Sequence, residues 1–478
     1  MKLSQKGEMT LEFSNLLFLY ILLPLTLAVY FLMPDMRKKN LVLIATSLVF
    51  YALGNLMYLP LLLLTAFINY WLGNRVKPGN RASLLLPIAL NIGVLVLFKY
   101  LNFILGCFGI VGADGGAAVN LLIPIGISYY TFQMVAYHTD IYRGKSQPAP
   151  AFADMLLFLC MFPKLPTGPI IRYEQVQKQM RVRKPNPRAI LQGGVRFTVG
   201  LAKQVLIAGY LKGYYDSLST MKFGAAAWLG ALVFMLYIYF DFSGCIDMAI
   251  GLGRVFGFRY PENFDLPYTS KSITEFWRRW HITLGSFFRD YVYIPLGGNR
   301  KGKARQILNL LIVWALTGLW HGASWNFVLW GLYFFVLLVA EKQLLSKLER
   351  IPSAVRMLGT LFFVLLGWVL FANTSLAAVG DTFARMFGKG AFWNDMVRVK
   401  LVNALPVLAV SLVGASVIPR WIGFAWSNLF LAGRRRTGVS VKECVYIAGM
   451  VAFAALLLYL CTISLSAKGS VTSMYSSF

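Results

Sequence analysis

Apolar runs long enough to cross a bilayer recur along this chain, and that recurrence limits its fold more than any other feature. Candidate spans lie near 16–33, 41–56, 58–74, 83–101, 121–140, 189–212, 225–252, 306–321, 324–341, 357–372, 400–417 and 444–466. A helix needs ~20 mostly apolar residues to cross a ~30 Å hydrocarbon core, so about twelve such segments predict a polytopic membrane protein. The composition agrees. Hydrophobic residues make up 58% and charged residues 14%, against about 45–50% and about 25% in soluble domains. A soluble fold has no interior for that much apolar surface, which excludes a soluble enzyme, a disordered chain and a secreted disulfide scaffold. The five cysteines are scattered without a CxxC pair and read as small buried hydrophobes.

One apolar stretch, 151–170, carries Pro163, Pro166 and Pro169. Prolines that dense cannot share a regular helix. A broken or re-entrant segment is expected, with protein covering its backbone from lipid.

Lys and Arg number 46 against 19 Asp and Glu, a net charge of +27. The excess sits in alternate loops: Arg37 to Lys39, Arg75 to Arg81, Arg143 with Lys145, 172–188 (including Arg183), 253–305, Lys342 to Arg350, and Arg434 to Arg436. The intervening loops are poor in charge or mixed; 102–120 holds only Asp114. Basic loops stay cytoplasmic, so both termini are expected outside, and nucleic acid is not a partner. No internal repeat supports an inverted-repeat transporter. The loop 253–305 is long, basic and aromatic, and a connection of that length usually carries function.

Three histidines are present: His138, His281 and His321. His281 follows Glu275, Trp277 and Arg278, and their spacing predicts a short amphipathic helix with Trp277, Arg278 and His281 near one face. Such a helix can also be a mere interfacial anchor. His321 closes a span free of charged side chains from Gln306 onward. An ionisable ring there marks a functional site, or a histidine hydrogen-bonding two helices together. Gly318 and Gly322 flank it and would admit a second backbone or a long ligand. His138 reads as structural, at a polar, interfacial helix end. No HExxH, GxSxG or Walker A pattern occurs, so metal, serine-hydrolase and nucleotide chemistry are not expected. What remains is an acid–base histidine in a membrane cavity beside basic groups. That set suits activating a hydroxyl against an acyl donor that bears phosphate.

These residues fall into recognisable blocks: 241–253 (DFSGCIDMAIGLG), 256–264 (FGFRYPENF), 276–284 (FWRRWHITL), 293–300 (YIPLGGNR) and 317–322 (TGLWHG). Weaker blocks are 124–128, 130–133, 162–163 and 168–170. In number and order they make the chain resemble the membrane-bound O-acyltransferase family, and within it the bacterial alginate O-acetyltransferase branch. The resemblance implies a single all-α integral-membrane domain over 1–478, with N-terminal helices about 15–140, a catalytic core about 150–345 and C-terminal helices about 355–466. It implies about 11–13 transmembrane and re-entrant helices around a central funnel or tunnel. His321 matches the central catalytic histidine and His281 the second one, on the cytoplasmic side. Arg278, Arg279, Trp320, Glu275 and Asn326 take donor-binding or supporting roles; Glu275 or Asp290 would orient an imidazole or pair with an arginine. The donor implied is acetyl-CoA, with no bound cofactor and no metal. Implied partners are an extracytoplasmic acetyltransferase, polysaccharide biosynthesis or export machinery, and the lipid of a bacterial inner membrane. The tail, 473–478, departs from the aromatic ending of that branch. Rival readings are a D-alanyl transferase of teichoic acid fed by a carrier protein, a transporter of anions or lipid precursors, and a structural scaffold.

Overall fold

A computed structural model describes residues 12–111, 116, 118, 119, 121–184, 186–348, 350–373, 375–431, 441–471, 473 and 474. Asp114, Arg434 to Arg436 and the last four residues of the tail lie outside the described residues. The described chain is mostly helical, and its β feature is one antiparallel bridge, Phe264 with Trp280.

The chain divides into two units. The first comprises 1–193, 248–261 and 465–478. It holds α1 (Leu23–Leu32), α2 (Met36–Asn55), α3 (Leu59–Gly73), α4 (Arg81–Leu95), α5 (Leu101–Cys107), α6 (Ile127–Tyr142), α7 (Phe152–Cys160) and α8 (Tyr173–Arg181). The Asp35 carboxylate accepts from Lys38 N at 2.8 Å and starts α2, and Asn80 accepts from Ala82 N at 3.0 Å at the start of α4. Side chains of this kind satisfy helix-end N–H groups that would otherwise have no partner. As the prolines require, α7 stops at Cys160 and residues 162–167 form turns. Protein covers them: 161–171 are buried throughout, and Ser47 Oγ accepts from Phe162 N at 3.0 Å.

Two polar residues of this unit depart from expectation. Arg183 belongs to the basic loop yet folds inward, donating to Phe256 O at 2.9 Å and Asn40 Oδ1 at 2.7 Å. His138 is fully buried rather than interfacial, because α6 is buried along nearly its whole length. Its Nε2 lies 2.7 Å from Asn69 Oδ1, which also accepts from Asn91 Nδ2 at 2.8 Å. The ring thereby ties α6 to α3 and α4.

The second unit comprises 194–247 and 262–464. It holds α10 (Gly209–Ser219), α12 (Ile273–Arg279), α13 (Ile282–Phe288), α14 (Gly302–His321), α15 (Trp325–Leu348), α16 (Ser353–Ala372), α17 (Leu376–Met386), α18 (Asp395–Gly414) and α19 (Ile418–Leu431). The helices α9 (Pro187–Ala202), α11 (Gly224–Val255) and α20 (Val441–Lys468) contribute residues to both units.

Seven helical runs are long and apolar enough to cross a membrane, with Phe18–Leu32 a shorter apolar one, among the described residues. The other expected spans are also helical, as α6, α9 with α10, and α14, but they are shorter or more polar. Hydropathy does not tell inner from outer helices. The most apolar windows of α11 and α20 have mean hydropathy 1.8 and 2.3, yet 89% of the first is buried and only 6% of the second. α11 is a core helix and α20 a lipid-facing one.

Candidate active site

The site is built in the second unit from α12 to α16 and the loop before α12. Ser272 Oγ accepts from Glu275 N at 3.0 Å and opens α12. Glu341 of α15 accepts from Ile273 N at 2.5 Å and Thr274 N at 3.2 Å. α12 is thus tied to α15 at its first turn.

The helix ends at Arg279, two residues short of His281, contrary to the spacing argument. Trp280 is extended and bridges to Phe264; Asp265 N donates to Arg279 O at 2.9 Å and Ile282 N to Asn263 O at 3.1 Å. This short pairing outcompetes another helical turn and leaves His281 at φ 48°. A left-handed backbone costs an ordinary residue about 1–2 kcal/mol, so the surrounding contacts must enforce it. The His281 ring is buried, packed on Phe242 with centroids 4.8 Å apart, and its Nδ1 lies 3.3 Å from Asn263 Oδ1.

His281, Trp277 and Arg278 nevertheless share one cavity of about 320 Å³, joined by Arg289, Trp314 and Lys342. α14 lines it from Leu310 to Thr317. The walls are apolar and aromatic and carry three cations, which suits a long donor with an acyl end and an anionic end. Arg279 is not on that wall. Its guanidinium pairs with Glu275 at 2.6 Å and donates to Thr269 Oγ1 at 3.0 Å. Asp290 pairs with Arg289 at 2.7 Å. Both candidate carboxylates therefore hold arginines, and Asn263 is a group at the His281 ring.

His321 is the last residue of α14, and its place is set by glycines. A Cβ on Gly318 would stand 2.3 Å from Phe327 O, and one on Gly331 would stand 2.3 Å from Trp314 O. α14 and α15 therefore pack backbone to backbone. A Cβ on Gly322 would meet the Phe327 ring, also at 2.3 Å. The glycines admit the next helix, not a ligand. Aromatic rings surround the His321 imidazole, among them Trp320 at 4.9 Å, Trp330 at 5.0 Å and Phe371 at 5.1 Å between centroids. Trp320 also packs on His281 at 5.6 Å, so one indole touches both imidazoles. Asn326 donates to Asn373 O at 2.7 Å and braces the turn after α14 against the end of α16.

Sequence reasoning missed Asn263 and Glu341. The first sat inside a recognised block, and the second was a lone carboxylate closing an apolar run. A larger cavity of about 800 Å³ lies between α9, α11, α18 and α20, and neither histidine lines it. Its polar end is an ion cluster in which Asp247 binds Arg196 at 2.8 Å and Lys203 at 2.6 Å.

Sequence comparison identifies relatives of this chain among known proteins. The sequence model described as MBOAT, membrane-bound O-acyltransferase family, matches residues 46–380. A probable alginate O-acetylase of Azotobacter vinelandii is 39% identical over 82% of this chain and 81% of its own length. A peptidoglycan O-acetyltransferase of Helicobacter pylori is 33% identical over 79% and 80%. A teichoic acid D-alanyltransferase of Bacillus subtilis is 29% identical over 53% of this chain and 70% of its own.

Proposed function

Because the chain belongs to the membrane-bound O-acyltransferase family and is an O-acyltransferase, we propose that it takes acetyl from cytosolic acetyl-CoA and passes it across the bilayer for O-acetylation of an extracytoplasmic polysaccharide. A partner transferase outside the membrane completes the transfer, and the bacterial inner membrane is the setting. The observation that carries this reading is the cavity beside His281. It brings Arg278, Arg289 and Lys342 to one aromatic-walled space, and the indole of Trp320 links its histidine to His321.

In this mechanism the cations of the cavity bind the donor phosphates, as charge-assisted hydrogen bonds do. The acyl end lies along α14 toward His321. His321 takes the proton of the accepting hydroxyl, whose oxygen attacks the thioester carbonyl. The C–O bond forms, the C–S bond breaks, and the proton passes to the departing thiolate. Trp277 and Trp314 exclude water from the path, with centroids 4.8 Å apart.

Thioester cleavage by the purified protein in nanodiscs tests the proposal. Wild type is expected to release CoA from acetyl-CoA, and His321→Ala is not. Equal release by both would remove His321 from the mechanism. Cleavage of an acyl-carrier-protein thioester with acetyl-CoA left intact would favour the D-alanyl-type donor instead. Inertness toward both, with the extracytoplasmic partner added, would overturn acyl transfer from a cytosolic thioester.

A further inference from the structure

Asn263 is fully buried, and the residues on either side of it are paired. Before it, Glu262 receives both terminal nitrogens of Arg196, at 2.6 and 2.5 Å. After it, Phe264 bridges to Trp280, and Asp265 is held by Arg420 at 2.6 Å. Its Oδ1 accepts from Thr283 N at 3.0 Å and Thr283 Oγ1 at 2.9 Å, and lies 3.3 Å from His281 Nδ1.

The first of these contacts decides which way round the amide sits. A backbone N–H can only donate, so the atom facing Thr283 N is the oxygen. Turning the amide over would set an NH2 against an N–H. The chosen orientation leaves Asn263 Nδ2 buried with no hydrogen-bond partner among the described residues. A buried polar atom in that state calls for an explanation, and Thr283 supplies it: the amide is held by its oxygen. Neutral imidazole carries one donor and one acceptor nitrogen. Facing an oxygen that can only accept, a neutral His281 ring is favoured with the hydrogen on Nδ1.

We propose that Asn263 is a positioning residue: clamped by Thr283, it holds His281 in the tautomer with hydrogen on Nδ1, so that Nε2 is the basic nitrogen of the ring. The proposal deepens the reading of His281 as part of the acyl-transfer site and rests on it for its functional meaning. The tautomer assignment rests on the contact with the clamped Asn263 oxygen. His138 provides the opposite case in the same molecule. Asn69 Oδ1 already accepts from Asn91, so the His138 nitrogen facing it, Nε2, is the one that carries hydrogen.

The test uses the full-length protein in nanodiscs, labelled with 15N-histidine. Three histidines give few signals, and protonated and bare ring nitrogens differ widely in 15N shift. Wild type is expected to show hydrogen on Nδ1 for His281 and on Nε2 for His138. Asn263→Leu is expected to release the His281 ring from its single tautomer while the His138 signal stays, which also reports that the protein is folded. CoA release should fall about 10²-fold, within the range for impaired acid–base catalysis. A His281 ring that keeps hydrogen on Nδ1 in Asn263→Leu, or carries it on Nε2 in wild type, overturns the proposal. A lost tautomer with full CoA release leaves the clamp standing and removes His281 from the reaction instead.

If Asn263→Leu does not fold, Asn263→Asp keeps the oxygen and adds charge. The charged groups lining the cavity with His281 are Arg278, Arg289 and Lys342, all cationic. A new carboxylate at Nδ1 is expected to stabilise the imidazolium and move the acid limb of CoA release to higher pH. An unmoved limb together with an unmoved His281 15N titration overturns the proposal. Thr283→Val removes the hydroxyl but keeps the backbone donor, and should leave the tautomer as in wild type; its loss there would show that the amide is not oriented by the backbone.

Discussion

Among the described residues, His138 with Asn69 and His281 with Asn263 form two buried histidine–asparagine pairs, and they are built for different ends. His138 lies within a regular helix, and its ring and Asn69 and Asn91 knit three helices together. His281 lies between helices at φ 48°, its ring held by Asn263 on the wall of a cavity that carries cations. Both rings are at most 2% exposed and both face an amide oxygen. Burial and an amide partner therefore do not make a site. Enforced backbone strain and open space beside the ring mark the second pair.

The largest test of that contrast sets His321 against His138. His321→Ala is expected to lower CoA release by about 10²–10⁴-fold, the usual loss of general-base help, while the size-exclusion profile stays that of folded protein and the melting temperature falls with the cavity left by the buried ring. Gly318→Ala comes next. The carbonyl of Phe327 stands where the new methyl would go, so α14 and α15 must part and carry His321 with them. Misplacement by about 1 Å can cost about 10²-fold in rate, which single-turnover measurement would detect. A rate above one tenth of wild type would show that the close approach of the helices is not what places the ring.

Arg278 and Arg279 sharpen the picture on the cavity side. Arg278→Gln is expected to raise KM for acetyl-CoA by about 10-fold, the effect of one lost charge-assisted contact. Arg279→Gln should leave KM within about 2-fold, since that guanidinium is turned to Glu275 in a half-exposed pair of small energetic weight. Equal effects of the two would mean that the donor takes another route. The smallest effect on rate belongs to His138→Leu. Stranding the Asn69 and Asn91 amides should cost about 1–3 kcal/mol of stability, read as a lower melting temperature. Turnover per folded molecule is expected to be unchanged.

The all-helical membrane fold was legible from the apolar runs, and the break at Pro163 from steric rules alone. The two candidate histidines stood out because ionisable groups are rare in such segments. Which helices face lipid was not legible, because α11 and α20 have similar hydropathy and differ only in what packs on them. The path through His281 was also hidden. Helical spacing put the ring on α12, whereas a single bridge between Phe264 and Trp280, residues 16 apart in sequence, ends that helix. The role of Asn263 could not be read either, because it depends on Thr283, 20 residues away. Of the two arginines, local spacing could not say which one would turn toward Glu275.

The ring jacket around His321 has an electrical consequence. The cavity along α14 reaches Thr317, and one turn further the imidazole is enclosed by Trp320, Trp330 and Phe371. An elementary charge falling through 100 mV of membrane potential releases about 2.3 kcal/mol, and a file of water past the histidine would let protons dissipate it. Indole and phenyl rings set edge to face solvate ions far less well than water does. On the proposed route a neutral acetyl group would slip between them at little expense, and the catalytic centre would double as the insulation that keeps the cell membrane charged.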